Sequence, residues 1–284
     1  MSLKNTQNHE TKALTSGTQT TLSIPAGGKI QSLMLLFTTG AGVPNTEAEI
    51  RAEVGNIRVT FNGKDIINAS LVQLLDLYET LGANVFNAAA IPVGAVELNI
   101  GRLVYNSPEV KDLMGLGTAD VANIQIQVTM GTISAVDNVQ GVTARTPLNE
   151  NLGAHCEFIN YPISFNGTGD NTVDTLPRNT DSSYLALMID DGASGTITHS
   201  EIRVNNFTIR ERLDRNVNGL LLSEAKYAQP AGIFVHGFMD GSIDGRLPMV
   251  GVTDLRAITT FSVAAGAAGY SIGALTLVTP AKSV

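Results

Sequence analysis

At 284 residues, with 43% hydrophobic and only 15% charged side chains, the chain is long enough for two domains that each bury a core. A net charge of −8 argues against nucleic acid as the main partner, because phosphate binding needs clustered Lys and Arg; the densest basic stretch interleaves Arg203, Arg210, Arg212 and Arg215 with Glu211 and Asp214. The single cysteine, Cys156, excludes an intramolecular disulfide and has no Cys-x-x-Cys partner for zinc.

Residues 1–19 are polar and lack an apolar segment, so they read as an N-terminal arm and not as a secretory signal. Residues 18–24 alternate as a strand does, and Pro25-Ala26-Gly27-Gly28 supplies turn chemistry. A near-continuous apolar run over 30–37 predicts a buried strand. Residues 51–61 give one or two further strands, closed by the hairpin signal Asn62-Gly63. Ser70 can cap a helix whose apolar positions Leu71, Leu74, Leu75, Tyr78 and Leu81 share one face, with Gly82 as its stop. Residues 93–104 carry strand character. Ser107-Pro108-Glu109 then opens a second short helix that Gly115 ends. Strict alternation over 123–128 predicts a strand.

From 132 to 171 the chain turns rich in Asn, Gly and Pro and reads as a connection holding one strand, at 156–165. Beyond it the earlier signals return in order. Leu22-Ser23-Ile24-Pro25 is answered by Thr175-Leu176-Pro177, the strand 30–37 by 184–189, and 56–61 by 206–210. The helical 71–81 is answered by 219–228, and 123–128 by 271–277. The uncharged run 257–281 is long enough to cross a bilayer. Gly266-Ala267-Ala268-Gly269 divides it into two β-branched segments, which reads as a strand, a turn and a strand, with no stable transmembrane segment. The boundaries that follow are an arm at 1–19, a first β domain at 20–135, a linker with one strand at 136–171, and a second β domain at 172–284.

No catalytic signature is complete. Gly241-Ser242-Ile243-Asp244-Gly245 places its serine one position too early for a nucleophile elbow. Gly115-Leu116-Gly117-Thr118-Ala119-Asp120 has Asp where a dinucleotide loop needs its third glycine, and Ala26-Gly27-Gly28-Lys29-Ile30 lacks the spacing of a phosphate loop. His9, His155, His199 and His236 are scattered without zinc spacing. Asp190 with Asp191, and Asp240 with Asp244, are the weak candidates for an oxygen-ligand calcium site, and no other cofactor is expected.

In their order, several short landmarks resemble the double-jelly-roll major capsid proteins of tailless icosahedral viruses with an internal membrane, of the corticovirus type infecting marine bacteria. The landmarks are Ile24-Pro25, Asn56-Ile57-Arg58-Val59, Leu116-Gly117-Thr118, Leu176-Pro177-Arg178 and Asp254-Leu255-Arg256 before a final hairpin. The resemblance implies an all-β fold of two tandem eight-stranded jelly rolls with short helices in the connecting loops. It implies a homotrimer with six similar lobes, neighbouring capsomers, a separate vertex (penton) protein and membrane-associated virion proteins as partners. It also implies location in the virion after synthesis in the host cytoplasm, with no enzymatic activity. The chain departs from the family in lacking tryptophan, in its long Asn- and Gly-rich link and in having no lysine-rich base, so lipid contact is expected to run through other virion proteins. The competing reading is a viral spike or a carbohydrate- or receptor-binding β-sandwich; an aromatic content of 5% disfavours stacking against sugars.

Overall fold

The computed structural model describes residues 5–80, 94–98, 115–165, 167–190, 196–224, 227–238, 246–264 and 269–279. The chain falls into two compact units whose main division lies between Glu157 and Phe158.

In the first unit, β1 (Asn5–Ala13), β9 (Asn138–Thr146), β3 (Lys29–Thr38) and β6 (Ala95–Glu97) lie side by side in that order, and β7 (Leu116–Gly117) also pairs with β3. The second sheet runs β2 (Gln19–Ile24), β8 (Ile124–Met130), β4 (Val54–Phe61), β5 (Lys64–Ser70). Alternation drives the second sheet: Ile124, Ile126, Val128 and Met130 of β8 are buried, and the residues between them are half-exposed. The two sheets meet closely. A Cβ added at Gly141 of β9 would lie 2.9 Å from Ile24 Cδ1 of β2. Between the strands, α1 (Glu47–Glu53) opens on a capping box formed by Thr46 and Glu49, and α2 (Leu71–Thr80) starts with the Ser70 and Gln73 side chains bonded to each other's backbone N–H.

The second unit has β10 (His155–Ile163), β18 (Tyr270–Val278), β12 (Ser182–Asp190) and β15 (Ile233–Gly237) in one sheet, with β16 (Leu247–Pro248) also on β12. Its other sheet runs β11 (Gly169–Val173), β17 (Leu255–Phe261), β13 (Ile197–Val204), β14 (Phe207–Asp214), and α3 (Arg215–Glu224) follows β14. Phe261 of β17 stacks on Tyr270 of β18 with ring centroids 3.8 Å apart, which ties the two sheets at the core.

These strand orders are the same order. Adding nine to each strand number of the first unit gives the second unit, including the side pairing of β7 with β3 and β16 with β12, and a helix after the fifth strand. The duplication foreseen from sequence is thus a duplication of topology: each unit has the eight strands expected, four to a sheet, with the two-residue β7 or β16 as an added side pairing.

The structure relocates several expected elements. Within the expected arm at 1–19, residues 5–13 form β1, an edge strand on β9, and because both its faces are largely exposed it carries no apolar signal. The expected linker 136–171 holds β9, β10 and the start of β11, and β9 is a central strand of the first unit. The strand equivalent to β8 is β17, and the equivalent of β18 is β9. Likewise β4 matches β13, one strand earlier than the 206–210 segment. The final "hairpin" is two strands of different sheets, β17 and β18. Residues 47–53, not foreseen as helical, form α1. The expected helix at 107–115, save its last residue, and the stop at Gly82 lie outside the described residues, as do Gly266, Ala267 and Ala268.

Candidate assembly surface

The sequence landmarks are joints of the fold. Thr118 Oγ1 accepts from Gly27 N–H at 2.8 Å and donates to Gly28 O at 2.7 Å. Gly117 beside it admits no side chain, because a Cβ there would lie 2.2 Å from Asn151 O. Arg145 Nη2 and Nη1 donate to Pro25 O at 2.5 Å and Gly27 O at 2.6 Å, so the turn after β2 is held by a buried guanidinium. In the second unit, Tyr184 Oη donates to Pro177 O at 2.6 Å and Arg178 Nη1 to Thr253 O at 2.7 Å. Arg58 Nε donates to Asp65 Oδ1 at 2.7 Å across β4 and β5.

Two side-chain groups resemble chemistry and lack its requirements. His236 Nε2 lies 2.8 Å from Ser200 Oγ, but the pair is buried, no acceptor meets His236 Nδ1, and burial followed by the charge of Arg210 lowers the imidazole to about 3. It is a neutral hydrogen-bonded core pair. His155, Glu157 and Lys64 form the second group. Burial would raise the Glu157 carboxyl, but the His155 and Lys64 contacts at 3.2 and 2.6 Å hold it below the usual range, as in a structural ion pair. Burial, then the nearby Glu157, pushes the Cys156 thiol up to about 12 and leaves it unreactive. Of the calcium candidates, Asp190 ends β12, and Asp191, Asp240 and Asp244 lie outside the described residues. Among the described residues no cluster of three His, Cys, Asp or Glu could hold a metal ion.

What stands out is surface. In α2 the apolar side chains Leu71, Leu74, Leu75, Leu77 and Tyr78 are buried, as an amphipathic helix requires. Its counterpart α3 is inverted: its buried residues are Asn218 and Leu222, and Val217, Leu220 and Leu221 face solvent, Leu220 at 62% exposure. Asn218 Nδ2 fixes that orientation by donating to Val235 O at 2.7 Å and Gln229 Oε1 at 2.5 Å. The strand leading into it, β14, exposes Phe207 at 74% and Ile209. Exposed apolar side chains grouped on one helix and on the strand before it mark an interaction site. Sequence reasoning passed over it because Leu220, Leu221 and Leu222 read as an ordinary helix core; the polar Asn218 on the opposite side was the available signal.

Two sheets per unit, repeated with one topology, define a protein of the double-jelly-roll class. The fold is that of several viral capsid proteins. The crystal structure of the major capsid protein P2 of bacteriophage PM2 superposes with a TM-score of 0.80 over 99% of both chains, at 14% identity. The major capsid protein of Sulfolobus turreted icosahedral virus gives 0.72 over 98% of this chain and 97% of that one, at 13% identity. The PBCV-1 virus capsid gives 0.65 over 98% and 95%, at 9% identity. No curated protein sequence matches the chain. The N-terminal domain of viral coat protein P2 matches residues 5–146 and its C-terminal domain matches residues 157–276. The chain belongs to the viral coat protein P2 family, and it is a major capsid protein of the virion. Among the described residues no helix is long and apolar enough to cross a membrane.

Proposed function

We propose that this coat protein assembles as a homotrimer, that its six lobes give the capsomer a pseudo-hexagonal outline, and that such capsomers tile an icosahedral shell around an internal membrane. The observation that carries the reading is the nine-strand repeat: two units of one topology in each chain let three chains present six similar faces to a flat lattice. A different protein then closes the five-fold vertices, and membrane-associated virion proteins connect the shell to lipid. The role is geometric, with no catalytic step, and the chain is made in the host cytoplasm. Burial of the α3 and β14 apolar side chains at the subunit boundary would supply part of the association energy, at roughly 25 cal/mol per Å² before the costs of association.

Sedimentation of the purified chain tests this reading, combined with low-resolution images of the particles. Trimers with six lobes are the expected result. A monomer that binds glycans would replace the capsid reading with the spike or receptor-binding one. Salt-sensitive binding of the isolated protein to anionic liposomes would overturn the assignment of lipid contact to other virion proteins.

A further inference from the structure

Seven of the nine positions of β1 are exposed, and the two exceptions are His9 and Lys12. Lys12 pairs with Glu10 of its own strand at 2.8 Å, whereas His9 bonds to a side chain of β9. A β-bulge turns His9 inward. Asn8 pairs with Val142 and Thr11 with Gln140, so His9 and Glu10 together stand opposite the single residue Gly141. Gly141 leaves room for the ring: a Cβ there would lie 3.7 Å from His9 Cβ and Cδ2 and 2.9 Å from Ile24 Cδ1. Gln140 Nε2 donates to His9 O at 2.9 Å and holds the bulged backbone in place.

The bond that His9 makes has a direction. His9 Nε2 lies 2.9 Å from Thr143 Oγ1, and Arg145 Nε donates to the same oxygen at 3.2 Å. A guanidinium can only donate, so the hydroxyl accepts from Arg145 and gives its single proton to His9 Nε2. That arrangement requires a neutral imidazole with its proton on Nδ1. A proton added at Nε2 would aim a second cation at an oxygen that Arg145 already uses. It would also strand the hydroxyl proton of Thr143, a fully buried residue. The facing groups offer no compensation. β9 contributes Arg145 and no other ionisable side chain, β2 contributes none, and on β1 itself Glu10 is engaged by Lys12. Arg145 is held where it stands, because Nη1 and Nη2 donate to Gly27 O and Pro25 O. Burial, then the Arg145 charge, lower the His9 pKa from 6.5, in keeping with this geometry.

We infer that His9 is a proton-operated latch: neutral, it holds β1 against β9, and protonated, it lets β1 come away and leaves the β9 edge open. Every group involved lies within the first unit, so the latch does not depend on how chains assemble. The sign follows from linkage. The latched strand favours the neutral imidazole, and the released strand regains the ordinary value near 6.5. The hold is therefore complete above pH 6.5 and weakens by up to about tenfold per pH unit below it, until the pH reaches the lowered value of the latched state.

Hydrogen exchange of the full-length protein at pH 7.5 and pH 5.0 tests the latch, with each rate divided by the intrinsic rate of a free amide at the same pH. The β1 amides bonded to β9 are expected to lose at least about fivefold in protection at pH 5.0. Those of β2, the edge strand of the other sheet of this unit and free of ionisable side chains, are expected to change by less than about twofold. His9→Gln stays neutral at both values and is expected to abolish the β1 response. If that variant does not fold, the contrast between β1 and β2 in the wild type decides the matter. Equal protection of β1 at the two pH values overturns the latch, as does a β1 response that survives in His9→Gln. A loss shared equally by β2 overturns it as well, since that is general loosening in acid and not release of one strand.

Discussion

Asn62 and Asn205 occupy the same position in the two units and make the same three bonds to the backbone. Each sits at positive φ, 50° and 47°, in the turn of a hairpin, β4–β5 and β13–β14. Asn62 Oδ1 accepts from the N–H groups of Ala122 and Asn123 at 2.8 and 3.2 Å, and its Nδ2 donates to Asp120 O at 3.0 Å. Asn205 Oδ1 accepts from Thr253 and Asp254 N–H at 2.8 and 3.1 Å, and its Nδ2 donates to Gly251 O at 3.0 Å. Asparagine serves twice because it tolerates the left-handed region and carries both an acceptor and a donor.

Replacing Asn62 by alanine therefore removes three bonds, and replacing Asn205 removes four, since Thr253 Oγ1 also donates to it at 3.0 Å; both add backbone strain. Asn62→Ala and Asn205→Ala are each expected to lower stability by about 1–3 kcal/mol. The glycine variants are expected to lose less, because they keep the turn conformation. Urea unfolding of the four variants checks this, and equal losses for alanine and glycine would remove the backbone part of the account.

Glu53 ends α1 as a buried carboxylate that gathers the loop before β9, accepting from Ser134 Oγ at 2.5 Å and from Ala135 and Val136 N–H at 3.0 and 2.8 Å. Burial alone would raise its pKa, yet the Ser134 hydroxyl and the backbone N–H donors together hold it below 4.5. A carboxyl depressed by folding stabilises fully above its unfolded pKa and loses that contribution as pH falls through its folded value. Glu53→Gln is expected to cost about 2 kcal/mol at pH 7 and less at pH 3, measured by denaturant unfolding at the two values. A cost independent of pH would show that the charge plays no part.

His236 acts in the same direction for the opposite reason. It is neutral in the fold, with its pKa lowered to about 3, and it regains an ordinary value near 6.5 when unfolded. Below pH 6.5 the unfolded chain binds the extra proton. Stability then falls by up to about 1.4 kcal/mol per pH unit from this group as pH drops towards 3. His236→Leu is expected to move the acid unfolding midpoint to lower pH. Ser200 Oγ keeps Thr259 Oγ1 at 3.1 Å, so its hydroxyl is not stranded. An unchanged midpoint would rule out His236 as a source of acid lability.

The inverted helix gives a prediction about assembly alone. Leu220 and Leu221 are exposed and contribute little to the fold of their own unit. The double variant Leu220→Lys, Leu221→Lys is expected to keep its melting temperature as a monomer within about 3 °C while losing at least tenfold in association, read by sedimentation. Undiminished assembly would place the subunit contact elsewhere.

The architecture was legible where one face of an element is buried. Leu71, Leu74, Leu75 and Tyr78 gave α2, the alternation of Ile124 and Ile126 gave β8, and Asn62-Gly63 gave its turn. Thr46 and Glu49 form a capping box whose Thr-x-x-Glu spacing was available in the sequence. β1 left no such trace, since a strand paired along only one edge and wet on both faces needs no apolar residues. β9 was hidden for a related reason. Its alternation, Val139, Gly141, Thr143, Arg145, puts small and polar residues on the buried side, where the Arg145 guanidinium donates to the backbone carbonyls of Pro25 and Gly27. The apolar exterior of α3 was invisible because a hydrophobic helix face does not announce whether its own unit or another chain covers it.

The place of the late strands in each sheet also sets a timetable for synthesis. Among the described residues β1 pairs only with β9 and β2 only with β8, and β8 and β9 each sit between an earlier edge strand and an earlier inner one. His9 and its partner Thr143 are 134 residues apart. At about 5–20 residues per second, the first strand leaves the ribosome roughly 7–27 seconds before the strand it needs. The first half cannot close until nearly all of it has been translated, and the second half repeats the delay. The growing chain spends that interval with open β-edges, during which a chaperone could hold it and a neighbouring nascent chain could capture it.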